Sequence, residues 1–138
     1  MFKSVINIVI KYRLSMIAII LLLYLSFRNG EELNVPKFLI FEHADKFVHF
    51  IMYFGVTSAL FIDLIWVARK KAILIISAII VVLALLTEIG QEIFTDTRNG
   101  DIYDFLCNIA GGMVALIVAP YTSKFYFTLK KYVRGFFK

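Results

Sequence analysis

The chain has 138 residues, which suits one domain, and 61% of them are hydrophobic while only 18% are charged. Soluble domains are roughly half apolar and one quarter charged, so this composition excludes a water-soluble globule and predicts an integral membrane protein. The formal net charge is +5, and the presence of one cysteine, Cys107, excludes an intrachain disulfide and a thiolate zinc cluster.

Four apolar segments are predicted to cross the membrane as α-helices. In chain order they cover residues 12–27, 47–68, 72–94 and 105–121. A span needs about 20 mostly apolar residues, and lipid leaves no other partner for its backbone groups. The first segment also resembles the core of a secretory signal, but no small-residue cleavage site follows it. We therefore predict an all-α membrane protein with one domain, residues 1–138, and four transmembrane helices.

The positions of Lys and Arg predict the orientation of these helices. Most of them lie in the N-terminal arm, in the loop at residues 69–71 and in the tail after residue 121. Positively charged segments remain on the cytoplasmic side of a membrane, so both termini are predicted to be cytoplasmic. The acidic residues then gather on the outer side.

The tail at residues 124–138 alternates basic and apolar residues, and Phe125, Leu129, Val133 and Phe136 share one face at helical spacing. This pattern is typical of a basic amphipathic helix in the anionic inner interface. It favours a membrane anchor over a docking site. We therefore expect membrane lipids as partners and no nucleic acid.

Three predicted spans each carry a polar residue at the same depth. His49, Glu88 and Asn108 all lie about 6 Å below the outer surface, given a rise of 1.5 Å per residue. Polar groups inside a membrane usually face other helices and indicate function, so we favour a ligand site. The alternative is a hydrogen-bond network that locks the helices together. Because the polar set lies on one side, a small transporter is disfavoured.

Glu88 and His49 are the candidate catalytic residues, because a carboxylate and an imidazole commonly act as general acid and base. Neighbours at helical spacing form the candidate binding set: Asp45, Lys46, Tyr53, Gln91, Arg98, Asp101, Asp104 and Asn108.

Two interpretations of Lys46 and Arg98, at the mouth of this cluster, stand equal. They bind a phosphate or pyrophosphate, or they pair with Asp45, Asp101 or Asp104. The acidic oxygens would also suit Mg²⁺ or Ca²⁺. No paired His or Cys signature accompanies them, so we predict no metal and no other cofactor.

Small residues predict where the helices approach closely. Gly111 and Gly112 form a small face on the last span, and Gly55 is expected to do the same on the second. Packing within the chain is favoured over a dimer face. Asp63, near the inner end of the second span, is expected to pair with a nearby Lys or Arg.

Three motifs occur in a fixed order. Residues 45–49 read Asp-Lys-x-x-His, residues 88–91 read Glu-x-x-Gln, and residues 98–111 read Arg-x-x-Asp-x-x-Asp-x-x-x-Asn-x-x-Gly. Together they resemble the VanZ-like membrane protein family, over a motif region at residues 45–112 that covers about half of the chain.

The resemblance implies a multi-pass protein of the bacterial cytoplasmic (inner) membrane, within the cell envelope. The family is named after a member linked to resistance to the glycopeptide teicoplanin. We expect the pocket to bind, and in an enzymatic version to modify, an amphiphilic ligand that is lipid-linked, phosphate-bearing or a glycopeptide. The alternative is a noncatalytic binding or scaffold protein whose polar cluster is structural. Enzyme and binder both fit the sequence, as does any oligomeric state.

Overall fold

A computed structural model describes residues 2–28, 44–65, 67–95 and 100–136. The described part of the chain forms α1 (Phe2–Lys11), α2 (Arg13–Phe27), α3 (Ala44–Asp63), α4 (Arg69–Phe94) and α5 (Ile102–Phe136). Each helix contains an apolar run of the sequence, and these ranges contain no strand. The all-α prediction is confirmed.

Three of the helices are long and apolar enough to cross a membrane: α3, α4 and the first part of α5, Ile102–Ala119. They correspond to the predicted second, third and fourth spans. The first predicted span corresponds to α2, whose 15 residues cover about 22 Å, less than a hydrocarbon core of about 30 Å. It is short because the helix breaks at Tyr12 and the backbone of Arg28 is extended. A fourth span is therefore not confirmed.

Both ends of α2 are attached to the other helices. At its start, the backbone N–H and the hydroxyl of Ser15 each donate to Oδ2 of Asp63, at 2.8 Å. Near its end, the side-chain amide of Gln91 donates to the carbonyl of Ser26 at 2.9 Å. These contacts place the start of α2 beside the end of α3, and the end of α2 beside the end of α4.

The contact with Ser15 corrects the expectation for Asp63. In the described part of the chain its buried carboxylate is held by two neutral donors, and no Lys or Arg ion pair engages it. Two hydrogen bonds to a charged group offset much of the cost of burial, so the carboxylate does not require a cation.

The glycines on α5 pack inside the chain, as predicted. A Cβ on Gly111 would overlap the carbonyl oxygen of Phe50, and one on Gly112 would lie 2.9 Å from Cγ2 of Ile80. Gly111 lets the α3 and α5 backbones approach closely, and Gly112 leaves room for side chains of α4 and α3. The prediction for Gly55 is wrong, because a Cβ there would have no neighbour within 4 Å. Gly55 lies on the outer face of α3.

The interior of the bundle is apolar, and so is its exterior. The core includes Leu22, Tyr53, Val56, Leu60, Ile76, Ile80 and Ala84. Large apolar side chains that point outward include Leu74, Leu86, Ile89, Ile93, Ile102 and Ile117. A surface of this kind is unusual in a soluble monomer and is expected of helices that contact lipid.

The basic tail continues α5, which runs for 35 residues without a described break. Its second half stays beside the bundle, since Tyr126 and Phe127 line one cavity together with Ile10 and Ile62. Its predicted position in the inner membrane interface stays a prediction.

Candidate functional site

Glu88 lies at the centre of the polar cluster, on the last turns of α4, with only 9% of its surface exposed. Its Oε1 accepts a hydrogen bond from the side-chain amide of Asn108 at 2.9 Å. Its Oε2 accepts one from the backbone N–H of Asp101 at 3.1 Å. A buried carboxylate is stable only when such donors replace water, and both donors here come from α5 or its first flanking residue.

Asn108 joins Glu88 to His49. Because the Asn108 amide group donates to Glu88, its Oδ1 faces Nδ1 of His49 at 3.0 Å. A carbonyl oxygen can only accept, so Nδ1 of the imidazole carries the proton in this contact. The other ring nitrogen, Nε2, lies 3.9 Å from Oδ2 of Asp104, beyond hydrogen-bond distance. Three helices thus meet through one amide side chain.

Lys46 is surrounded by carboxylates. Its ammonium group lies 3.0 Å from Asp101, 3.2 Å from Asp104 and 3.3 Å from Asp45. An ammonium group has three N–H donors, so each can be directed to one carboxylate. Of the two interpretations of Lys46, the structure contains the ion pair, and it leaves this side chain no donor for a phosphate.

Asp101 is the N-cap of α5 and connects several of these contacts. Its Oδ1 accepts the backbone N–H of Tyr103 at 2.9 Å, which satisfies a free donor of the first helical turn. This hydrogen bond and the contact with Lys46 hold the pKa of Asp101 below its usual value, so the carboxyl remains ionised. The same residue donates its backbone N–H to Glu88.

The segment before α5 is held against the end of α4. The backbone N–H of Gly100 donates to Oε2 of Glu92 at 2.8 Å, one helical turn beyond Glu88. A Cβ at Gly100 would lie 3.0 Å from the carbonyl oxygen of Glu88, so this position favours glycine. Arg98, a candidate binding residue, lies outside the described residues.

Tyr53 and Gln91, two predicted binding residues, contact other helices instead of the cluster. The Tyr53 hydroxyl lies 2.8 Å from that of Thr87, which itself donates to the carbonyl of Ala84. Tyr53 is therefore the donor, and it joins α3 to α4 in the core. Gln91 binds the carbonyl of Ser26 on α2. Neither contact requires a ligand.

A groove of about 570 Å³ lies beside Glu88, between α4 and the start of α5. Its lining combines apolar side chains with carboxylates: Leu85, Glu88, Ile89, Glu92, Ile93, Gly100, Asp101, Ile102 and Phe105. Leu85, Ile89, Ile93 and Ile102 are exposed, so the groove opens on the outer surface of the bundle. His49 does not line it.

This groove is not among the features predicted from the sequence. A signal for it is present, because Leu85, Ile89 and Ile93 recur every four residues beside Glu88 and Glu92. The spacing places all five on adjoining faces of α4. Pairing with the start of α5 is a tertiary feature that the pattern does not contain.

No group of three or more His, Cys, Asp or Glu side chains in the described residues is arranged to hold a metal ion. Comparison with known proteins gives one family: a model described as VanZ/LLP1 matches residues 1–124. No curated protein and no solved structure matches the chain. The matched range contains every side chain of the polar cluster and of the groove.

Proposed function

This chain belongs to the VanZ/LLP1 family, as its motifs predict, and from that premise we propose that it binds a membrane amphiphile in the groove between α4 and α5. The observation that carries the proposal is the position of Glu88. This buried carboxylate forms part of the wall of an otherwise mainly apolar groove that opens on the outer surface of a multi-pass membrane protein.

The lining of the groove suits two parts of one molecule. Ile89, Ile93, Ile102 and Phe105 match an acyl chain, while Glu88, Glu92 and Asp101 provide carboxylates for a polar head group. A volume of about 570 Å³ falls in the usual range for ligand pockets.

Charge complementarity favours a head group that donates hydrogen bonds, such as an amine or a hydroxyl. Glu88, Glu92 and Asp101 line the groove, whereas Lys46 is engaged by three carboxylates. Recognition of a phosphate would thus depend on Arg98, and that role stays a prediction.

In the enzymatic version of the proposal, Glu88 is the general base and His49 is a positioning residue. Glu88 lines the groove, so it can contact a ligand, whereas His49 is 2% exposed and lies behind Asn108. Its Nδ1–H fixes the orientation of the Asn108 amide, which in turn fixes Glu88. This assignment revises the equal roles that the sequence suggested.

One observation favours a noncatalytic scaffold as the second candidate. Both oxygens of Glu88, both polar atoms of the Asn108 side chain and the ammonium group of Lys46 have partners within the chain. A network that is satisfied in this way also stabilises a bundle without any ligand.

The two attachments of α2 support a fourth crossing, with both termini on the cytoplasmic side. Ser15 lies at the end of α3 and Ser26 at the end of α4, so α2 extends between the same two levels as the spans. In this topology the groove faces the outer leaflet. The proposed ligand would then be a lipid-linked or glycopeptide amphiphile of the bacterial cell envelope, in keeping with the family's link to glycopeptide resistance.

Photocrosslinking tests the groove. The probes are a long-chain amine, a long-chain alcohol and an alkyl phosphate, each with a diazirine on the chain and added to the full-length protein in vesicles. We expect the amine and the alcohol to label peptides from α4 and the start of α5. Ile89→Trp, which fills the groove, should remove this labelling, while Leu74→Trp, at an exposed position on the same helix, should retain it. Equal labelling of both variants would contradict the proposal.

A further inference from the structure

A second cavity lies at the opposite end of the bundle. It has a volume of about 240 Å³ and forms where the end of α1, the start of α2, the end of α3 and the second half of α5 meet. Asp45 lies at the end of α3 that contacts the polar cluster around Glu88, and Asp63 lines this cavity at the other end. The two residues are 18 positions apart on α3, or about 27 Å, so the cavity lies on the opposite membrane face from Glu88. That face carries Arg69, Lys70 and Lys71.

Two cations and one carboxylate line this cavity. Lys11 and Arg13 flank the break between α1 and α2, and Asp63 faces them from α3. Asp63 accepts two hydrogen bonds from Ser15, and within the described ranges no hydrogen bond or ion pair engages the guanidinium of Arg13. The cavity thus offers a guanidinium group that the carboxylate does not neutralise by contact.

The other walls are apolar. Ile10, Leu14, Ile62 and Phe127 contribute hydrocarbon, and the hydroxyl-bearing Tyr126 lies among them. The adjoining α1 also leaves Ile6, Val9 and Ile10 exposed. A cationic rim beside hydrocarbon walls is complementary to a phosphate with an attached acyl chain, and basic pockets between helices are known to hold such head groups.

We infer that this cavity binds the phosphate of an anionic phospholipid of the inner leaflet, with the guanidinium group of Arg13 as its donor and Lys11 adding positive charge to the lining. Arg13 can bind two phosphate oxygens at once through its planar guanidinium. Ser15 fixes the start of α2 on Asp63, two residues from Arg13, so the cation is held at the rim. The inference does not depend on the function proposed for the Glu88 groove.

The full-length protein is to be released from vesicles of phosphatidylglycerol and phosphatidylcholine and its retained lipid counted by native mass spectrometry. We expect Lys11→Gln combined with Arg13→Gln to weaken phosphatidylglycerol retention roughly 10-fold, the loss expected for one charge-assisted contact. Arg13→Lys alone keeps the charge but loses the planar two-donor contact, so its loss of retention should lie between that of the unmodified protein and that of the double variant. Because these side chains are exposed, folding should not depend on them.

The matched control is Lys70→Gln combined with Lys71→Gln, which removes the same charge from the same membrane face outside the cavity. We expect this variant to retain phosphatidylglycerol as the unmodified protein does. Equal loss in both double variants would show a general surface attraction and overturn the inference, as would no loss in either. Displacement of the lipid by millimolar inorganic phosphate would also overturn it, because a free anion would then suffice.

Discussion

The carboxylate of Glu88 and the backbone N–H of Asp101 lie 3.1 Å apart, although 13 residues separate them in the chain. This hydrogen bond joins the last turns of α4 to the N-cap of α5. The Asp101 side chain also contacts Lys46, and this second contact joins α3 to the same residue. The mouth of the groove is therefore held by contacts from three helices.

Exchange of the acid and the amide between Glu88 and Asn108 separates structure from function. In Glu88→Gln, the N–H group of the new amide faces another N–H donor. In Asn108→Asp, two carboxyl groups face each other. Each change should therefore lower the free energy of unfolding by about 1–3 kcal/mol. The double variant restores every donor to an acceptor and should recover most of the stability, as measured by thermal unfolding in detergent.

The same double variant should still fail to be labelled by the long-chain amine, because the carboxylate no longer lies at position 88. Losses of stability that simply add would contradict the hydrogen-bond assignment at Asn108. Recovery of stability together with full labelling would instead assign Glu88 a structural role.

The lowered pKa of Asp101 predicts that the free energy of unfolding decreases in acid. Its pKa in the folded protein is lowered by the Tyr103 N–H and by Lys46, so its ionised form favours folding at neutral pH. The contribution is complete above the unfolded pKa of about 3.9 and is lost as the pH falls through the folded value. Thermal unfolding measured below about pH 5 should show this loss, and Asp101→Asn should flatten that part of the profile. An unchanged profile in Asp101→Asn would contradict the role of this carboxyl.

Three of the glycines in the helices, Gly55, Gly111 and Gly112, predict graded effects of an added methyl group. Gly111→Ala should destabilise the protein most, by about 1–3 kcal/mol, because the Cβ meets the rigid backbone of Phe50. Gly112→Ala should cost less, since the nearest atom belongs to the Ile80 side chain, which can shift. Gly55→Ala is the control and should be neutral or stabilising by up to about 1 kcal/mol, owing to its higher helix propensity. The reverse order in thermal unfolding would mean that α3 and α5 pack differently.

Accessibility of single cysteines tests the topology in a Cys107→Ala background. The chosen positions are exposed: Asn7 on α1, Lys71 on α4 and Tyr103 on α5. In intact cells a membrane-impermeant thiol reagent should label Tyr103→Cys and should not label Lys71→Cys. If α2 crosses the membrane, Asn7→Cys should behave like Lys71→Cys. Labelling of Asn7→Cys together with Tyr103→Cys would leave only three spans.

Much of the candidate site follows from the sequence alone, because lipid permits few backbone structures. Apolar runs in a membrane must be helices, and a helix has a constant rise, so the depths of His49, Glu88 and Asn108 can be calculated. The structure brings these three side chains together through hydrogen bonds of about 3 Å. The small face of Gly111 and Gly112 follows from composition in the same way.

Only the tertiary structure decided which polar atoms pair and where the surface is open. Lys46 had equal prospects as a phosphate ligand and as an ion-pair partner, and the approach of α5 to α3 surrounds it with three carboxylates. Asp63 pairs with Ser15 because α2 starts beside the end of α3, and Gly55 faces outward because of the rotation of α3. Helical spacing determines which residues share a face, whereas the rotation and proximity of neighbouring helices determine what that face meets.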